Sequence, residues 1–167
     1  MTRDCLILTD VRCLPSGRRI ARMYNGTRFI NIYARSDAER KQEKEWFYNV
    51  DVPYLKPATE TDIIFAGYFN CVLSQTDATG HRNNSRALEN LATGLGLSDV
   101  VEMTSSRPMF THYSPTGASS LDRIYISRKL RRKKLCVDTL VTAFTDHVAI
   151  VMRMESSDPI SVRGRGI

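Results

Sequence analysis

Four short apolar runs close this chain in direct succession, Phe110 to Ser114, Leu121 to Ser127, Leu135 to Phe144 and His147 to Met154, with only turns between them. That order disfavours a doubly wound parallel sheet, whose neighbouring strands need a crossover helix between them. Upstream the pattern is mixed. Leu6 to Thr9, Arg19 to Tyr24 and Arg28 to Ala34 read as strands, and Asn25-Gly26 joins the last two as a hairpin turn. Ser36 and Glu39 form a capping box ahead of a helix that is charged from Arg40 to Glu45. Its apolar residues Trp46, Phe47, Val50 and Tyr54 are spaced to share one face, which predicts core, and Pro53 and Pro57 close it. Asp62 to Asn70 reads as a buried strand and Ser74 to Asn84 as a surface loop. A second helix is predicted from Ser85 to Leu97, with Leu88, Leu91 and Leu95 on one face and Gly94 or Gly96 ending it. Strands outnumber helices and the helices fall between strand groups, so the expected fold class is a layered α/β sandwich. At 167 residues, 42% of them hydrophobic, one globular domain is expected.

Lys and Arg number 24 against 18 acidic residues. The resulting charge of +6 favours an anionic partner, nucleic acid first, although a solvated basic face accounts for it equally well. The densest basic stretch is Arg128-Lys129-Leu130-Arg131-Arg132-Lys133-Lys134, a turn between two predicted strands. Cys5, Cys13, Cys71 and Cys136 are scattered without a CxxC pair, so buried thiols are expected, with neither a disulfide framework nor a zinc site. Cys5 to Leu8 is too short for a signal peptide or a membrane span, which points to an intracellular, reducing setting.

Asp146-His147 stands where the last apolar run begins, so both side chains sit at a strand edge. A histidine there suits general acid or base work, since it titrates near neutrality; a satisfied loop histidine is the commoner case for a lone pair of this kind. Adjacent strand residues face opposite ways, so a shared role for Asp146 and His147 needs a backbone turn between them. Asp122 opens the strand Arg123 to Ile126 and is suited to accept an imidazole N–H, fixing tautomer and orientation; as an isolated residue it is a surface acid. Asn70 offers an amide that suits an anionic oxygen or a water, or else an Asx turn. Tyr33 offers a phenol, or is simply a strand tyrosine.

Taken in order, these segments resemble the endonuclease/exonuclease/phosphatase superfamily, and most closely the apurinic-type endonuclease domain of non-LTR retrotransposons. Ile30-Asn31-Ile32-Tyr33-Ala34-Arg35-Ser36 is similar to that family's N-x-Y-A-P-S strand, and Ala66-Gly67-Tyr68-Phe69-Asn70 to its G-G-D-F-N segment. Phe110-Thr111-His112-Tyr113-Ser114 with Ser120-Leu121-Asp122-Arg123-Ile124 looks like its T-x-x-S and L-D-R-I segments, and Thr145-Asp146-His147 like its closing S-D-H.

The resemblance implies a deoxyribonuclease-I-like four-layered α/β sandwich lacking its first strands. It implies a divalent cation, Mg²⁺ or Mn²⁺, and hydrolysis of a DNA phosphodiester. His147 takes the role of catalytic histidine, Asp122 of its orienting acid and Asp146 of a metal ligand. Asn70 and Tyr33 fall on phosphate- or water-positioning places. Thr111 and the turn residues Arg128, Lys129, Arg131, Arg132 and Lys133 fall on DNA-contacting ones. Residues 1–155 are expected to be a partial nuclease domain and 156–167 a linker tail toward an absent reverse transcriptase, with the parent element working in the nucleus. Two departures predict impaired hydrolysis. Tyr68 occupies the place of the family's catalytic aspartate, and no Gln-Glu-Thr segment with the metal-binding glutamate occurs. The alternatives are a non-catalytic nucleic-acid binder and a functionless relic.

Overall fold

Alternating runs at Arg19–Tyr24 and Thr27–Tyr33 and a continuous apolar run within Asp62–Tyr68 build the middle of a six-stranded sheet at the centre of the molecule. The computed structural model describes residues 9–13, 17–34, 41–55, 61–80, 83–141, 143 and 145–155; the expected strand residues Leu6 to Leu8, the capping box at Ser36 and Glu39, and the tail 156–167 lie outside them. Strands β1 (Thr9–Cys13), β2 (Arg19–Tyr24) and β3 (Thr27–Tyr33) form an antiparallel meander, with Asn25 and Gly26 both at positive φ in the β2–β3 turn. Helix α1 (Lys41–Trp46) and its continuation carry the chain across to β4 (Asp62–Tyr68), which pairs parallel with β3. Helix α2 (Arg86–Gly94) leads into β5 (Leu97–Asp99) and helix α3 (Val100–Thr104). The short hairpin of β6 (His112–Ser114) and β7 (Gly117–Ser119) precedes β8 (Asp122–Ser127), which inserts antiparallel between β4 and β5. Strands β9 (Leu135–Val141) and β10 (Val148–Met154) form a separate antiparallel pair.

Helices α1 and α2 cover one face of the sheet, and α3 with the β9–β10 pair covers part of the other, which is the layered α/β sandwich expected. On the face of α1 and α2, Ala21, Ile30, Ile32, Ile63, Phe65 and Tyr125 pack against Phe47, Tyr48, Leu88 and Leu91. On the opposite face Ile64 and Ile126 pack with Val100 and Leu130, flanked by Val137, Met152 and Met154 from the β9–β10 pair. The two faces follow from the period-two alternation of side chains along β4 and β8. Between β5, β8 and the loop after β4, the buried Arg123 guanidinium is clamped by Asp77 at 2.5 Å and Asp99 at 2.7 Å. Among the described residues no helix is long and apolar enough to cross a membrane.

Several elements depart from the sequence expectation. The first helix stops being an α-helix at Trp46 and continues as a π-turn over Phe47–Asp51, closed by Val52 N–H donating to the Phe47 carbonyl at 3.0 Å, then as a 3-10 turn over Pro53–Leu55. The change of winding rotates the apolar set: Phe47, Tyr48, Val52 and Leu55 are buried, whereas Trp46, Val50 and Tyr54 are about half exposed or more (55%, 49% and 65%). The Arg19 guanidinium lies 5.1 Å from the Phe47 ring centre and pairs with Asp51, holding the π-turn to β2. Helix α2 ends at Gly94 with Leu95 as its cap, and Gly96, at φ +60°, supplies the left-handed residue that follows. Of the described cysteines only Cys71 is buried; Cys13 and Cys136 are exposed, because each lies on a strand with an uncovered face.

Candidate functional site

Register places the first three site residues in one row. Tyr33 pairs with Tyr68 across β3–β4, and Tyr68 pairs with Asp122 across β4–β8, so three adjacent strand ends present them side by side. The glycine before Tyr68 is required by this pairing: Gly67 has φ +135°, and a Cβ there would run into the Ile32 carbonyl oxygen of β3. Phe69, the next residue, is fully buried against Phe65 and Tyr125 at centroid distances of 4.9 and 5.3 Å, and its carbonyl accepts the Tyr48 hydroxyl at 2.5 Å. The strand end is thereby pinned directly behind Tyr68.

The histidine arrives from elsewhere in the chain. His147 bridges to His112, and two backbone bonds flank the bridge: Val148 N–H to the Thr111 carbonyl at 2.7 Å and Tyr113 N–H to the Asp146 carbonyl at 3.2 Å. The turn that the sequence required is present, with the His147 amide donating to Thr145 Oγ1 at 3.1 Å. His147 Nδ1 then lies 2.7 Å from Asp122 Oδ2. An ionised carboxylate only accepts, so Nδ1 carries the hydrogen and Nε2 keeps its lone pair. Asp122 is itself held. Thr111 is completely buried, and its hydroxyl oxygen accepts the amides of Leu121 at 3.0 Å and Asp122 at 2.9 Å. Thr111, which the resemblance sets near the DNA strand, thus has its hydroxyl engaged by two amides at the foot of the dyad.

Tyr68 fills the centre of the row. Its ring stacks on Tyr33 and meets His147 edge-on, each at a centroid distance of 5.2 Å. Its hydroxyl donates to Asn70 Oδ1 at 3.0 Å. Burial first, then the neighbouring Tyr33 phenol and the Asp122 and Asp146 carboxylates, push the Tyr68 phenol up to about 12. It is a neutral hydrogen-bond donor throughout the physiological range. Asn70 is buried with φ +49°, and its backbone carbonyl accepts from Lys44 Nζ and Asn83 Nδ2, both at 3.0 Å. Lys44, in the charged run that opens the first helix, is buried, and desolvation pulls its ammonium below the usual lysine range.

Two further placements matter. His112 Nε2 lies 3.3 Å from Asp146 Oδ2, and His112, Asp146 and His147 offer ligand atoms all within 4.8 Å of one another, a cluster able to hold a metal ion. The sequence signal for His112 was weak, a histidine inside a strand motif read for its threonine and serine. Against Mg²⁺ the cluster fits poorly: that ion wants an octahedron of oxygens, and here two of three donors are imidazoles while Asp122 is engaged by His147. The basic turn lies elsewhere. Arg128, Lys129, Arg131 and Arg132 are exposed and Lys133 half-buried around the buried Leu130, following Ser127 at the end of β8 opposite Asp122. At ~3.3 Å per residue that end is roughly 17 Å from the site row.

This architecture is the apurinic endonuclease/exonuclease/phosphatase fold, and solved members of it superpose on nearly all of the chain. A 3′ phosphatase, NExo, from Neisseria, bound to a product DNA hairpin, is 19% identical with a TM-score of 0.70, covering 90% of this chain and 72% of its own. An AP endonuclease from Archaeoglobus fulgidus is 18% identical with a TM-score of 0.72 over the same shares. The endonuclease domain of TRAS1, a telomere-specific non-LTR retrotransposon, is 14% identical with a TM-score of 0.57, covering 90% and 70%. At these identities the likeness is one of fold. No family model matches the sequence, and no curated protein matches it either.

Proposed function

We propose that this chain is a retrotransposon-type endonuclease module that engages DNA but hydrolyses its phosphodiesters poorly. The observation that supports it is the Asp122–His147 dyad, closed at 2.7 Å, standing beside a neutral phenol at the centre of the site row. The dyad keeps what a phosphoryl site needs from a histidine, a fixed tautomer with one open nitrogen. What is missing is the carboxylate that the resemblance places beside the attacking water, because Tyr68 stands at that position. Tyr68 cannot take the water's proton near neutral pH, and its hydroxyl occupies Asn70 Oδ1. Loss of a general base lowers rate by about 10²–10⁴-fold. Tyr33 and Asn70 sit where a phosphate or a water would be positioned, and the exposed cations of the Arg128–Lys133 turn supply the attraction for the DNA backbone.

In this reading the module acts on nuclear DNA alongside a reverse transcriptase of the same element, and Mg²⁺ or Mn²⁺, if used, enters with the substrate's phosphates. The test is nicking of supercoiled plasmid in Mg²⁺ and, separately, Mn²⁺, with His147→Ala as control. The expected result is no nicking above the control. Nicking that disappears in His147→Ala would overturn the proposed impairment. Failure to bind duplex DNA at low salt would overturn the module's assignment to DNA.

A further inference from the structure

We propose that His112, Asp146 and His147 form a site for a borderline transition cation of the Zn²⁺ class, and that this ion, rather than Mg²⁺, is the metal these residues select. The inference concerns binding and stands whether or not the chain cleaves DNA.

Ligand chemistry decides the ion. Two imidazoles and one carboxylate make an N,N,O donor set, which suits Zn²⁺, Co²⁺ or Ni²⁺ and leaves Mg²⁺ without the oxygen ligands it demands. Distances support it. A tetrahedral zinc with bonds of about 2.0–2.1 Å holds its ligand atoms about 3.4 Å apart. His112 Nε2 and Asp146 Oδ2 already stand at 3.3 Å, and all three ligand atoms lie within 4.8 Å, a gap that small rotations of the His112 ring and the exposed Asp146 carboxylate can close while His147 stays on Asp122.

The backbone supplies the preorganisation. His112 and His147 come from segments 35 positions apart in sequence, yet face each other across an antiparallel bridge with backbone bonds on both sides. Their rings approach to 5.0 Å between centroids. Behind His147 stands Asp122, whose carboxylate receives Nδ1–H and leaves Nε2 as the coordinating nitrogen. Metal-binding histidines commonly have such an outer carboxylate, which fixes the tautomer and raises ligand basicity. Thr111 in turn fixes Asp122 through two amides. Three protein ligands leave a fourth position for water or a phosphate oxygen.

Occupancy has a consequence. The cation sits on His147 Nε2, the nitrogen that a hydrolytic role would need for proton transfer, so Zn²⁺ blocks any histidine-dependent cleavage that remains.

The experiment uses the full chain carrying Cys13→Ser and Cys136→Ser, whose exposed thiols are competing soft ligands, and also Cys5→Ser, so that Cys71, which is buried, is the one thiol left. Zn²⁺ is titrated calorimetrically, and Co²⁺ is followed by its visible absorption, whose intensity reports a tetrahedral site. One equivalent of Zn²⁺ bound in the presence of millimolar Mg²⁺, with a Co²⁺ band that Zn²⁺ displaces, is the expected result. His112→Ala leaves the Asp122–His147 pair in place and is expected to weaken Zn²⁺ binding at least about 10-fold. Asp122→Asn is expected to weaken it about 10–100-fold without touching the metal. Circular dichroism accompanies each variant to show that the sheet persists. No stoichiometric Zn²⁺ binding, displacement by millimolar Mg²⁺, or full binding in folded His112→Ala would overturn the proposal.

Discussion

At the scale of single residues, the site is governed by which groups accept hydrogens and which donate them. Thr111 illustrates this, because its one oxygen accepts two backbone amides at the foot of Asp122. Thr111→Val keeps the shape and removes the acceptor, and the two orphaned amides are expected to cost about 2–4 kcal/mol in urea denaturation, with Thr111→Ser close to wild type. Tyr68 makes the complementary point. Its folded-state value, raised to about 12, exceeds the ordinary value of 10.0, so the folded protein holds the phenol's proton where the unfolded chain has released it. Stability from this group is complete below pH 10 and is lost as pH rises toward 12. Urea midpoints measured across that window are expected to fall more steeply for the wild type than for Tyr68→Phe; equal slopes would mean that the phenol is not the titrating group. The dyad of Asp122 and His147 was legible because each opens an apolar strand. His112 was not, since its place depends on a bridge between strands distant in sequence, and the burial of Thr111 depends on packing that sequence does not reveal.

At the scale of elements, the sheet was easier to read than the first helical segment. Strands β2, β3 and β8 follow from alternation and turn chemistry and β4 from its continuous apolar run, and of the two glycines that could end α2 it is Gly96 that takes the left-handed conformation. The stretch from Trp46 to Tyr54 did not follow its 3.6-residue spacing, because a π-turn inserts between α1 and the 3-10 turn and shifts the buried face to Phe47, Tyr48, Val52 and Leu55. Arg19, held on both the Phe47 ring and Asp51, is a tertiary anchor that no local pattern encodes. The register change has a direct test. Phe47→Ala removes a buried ring and is expected to cost about 3–5 kcal/mol, whereas Tyr54→Ala, at an exposed position, is expected to stay within about 0.5 kcal/mol. Comparable losses at both positions would restore the regular helix.

At the scale of the whole molecule, charge is divided along the strand axis. The site end carries the carboxylates of Asp122 and Asp146, and the basic turn lies at the other end of β8. A duplex seated on the Tyr33–His147 row therefore meets the protein's acids first, and it reaches Arg128, Lys129, Arg131 and Arg132 only by extending roughly 17 Å, about five base pairs at ~3.4 Å each. Sequence alone could not reveal this separation, because the basic run follows Asp122 by only six positions and looks adjacent to it. If DNA spans both ends, replacing those four cations with glutamate is expected to weaken binding at every sequence and to reduce the slope of log affinity against log salt by up to ~3.6, about 0.9 for each lost phosphate contact. His147→Ala should leave that slope unchanged, since the site row contributes position and not cationic charge. An unaltered salt slope in the fourfold variant would place the DNA away from the turn and leave the net charge of +6 to other faces of the molecule.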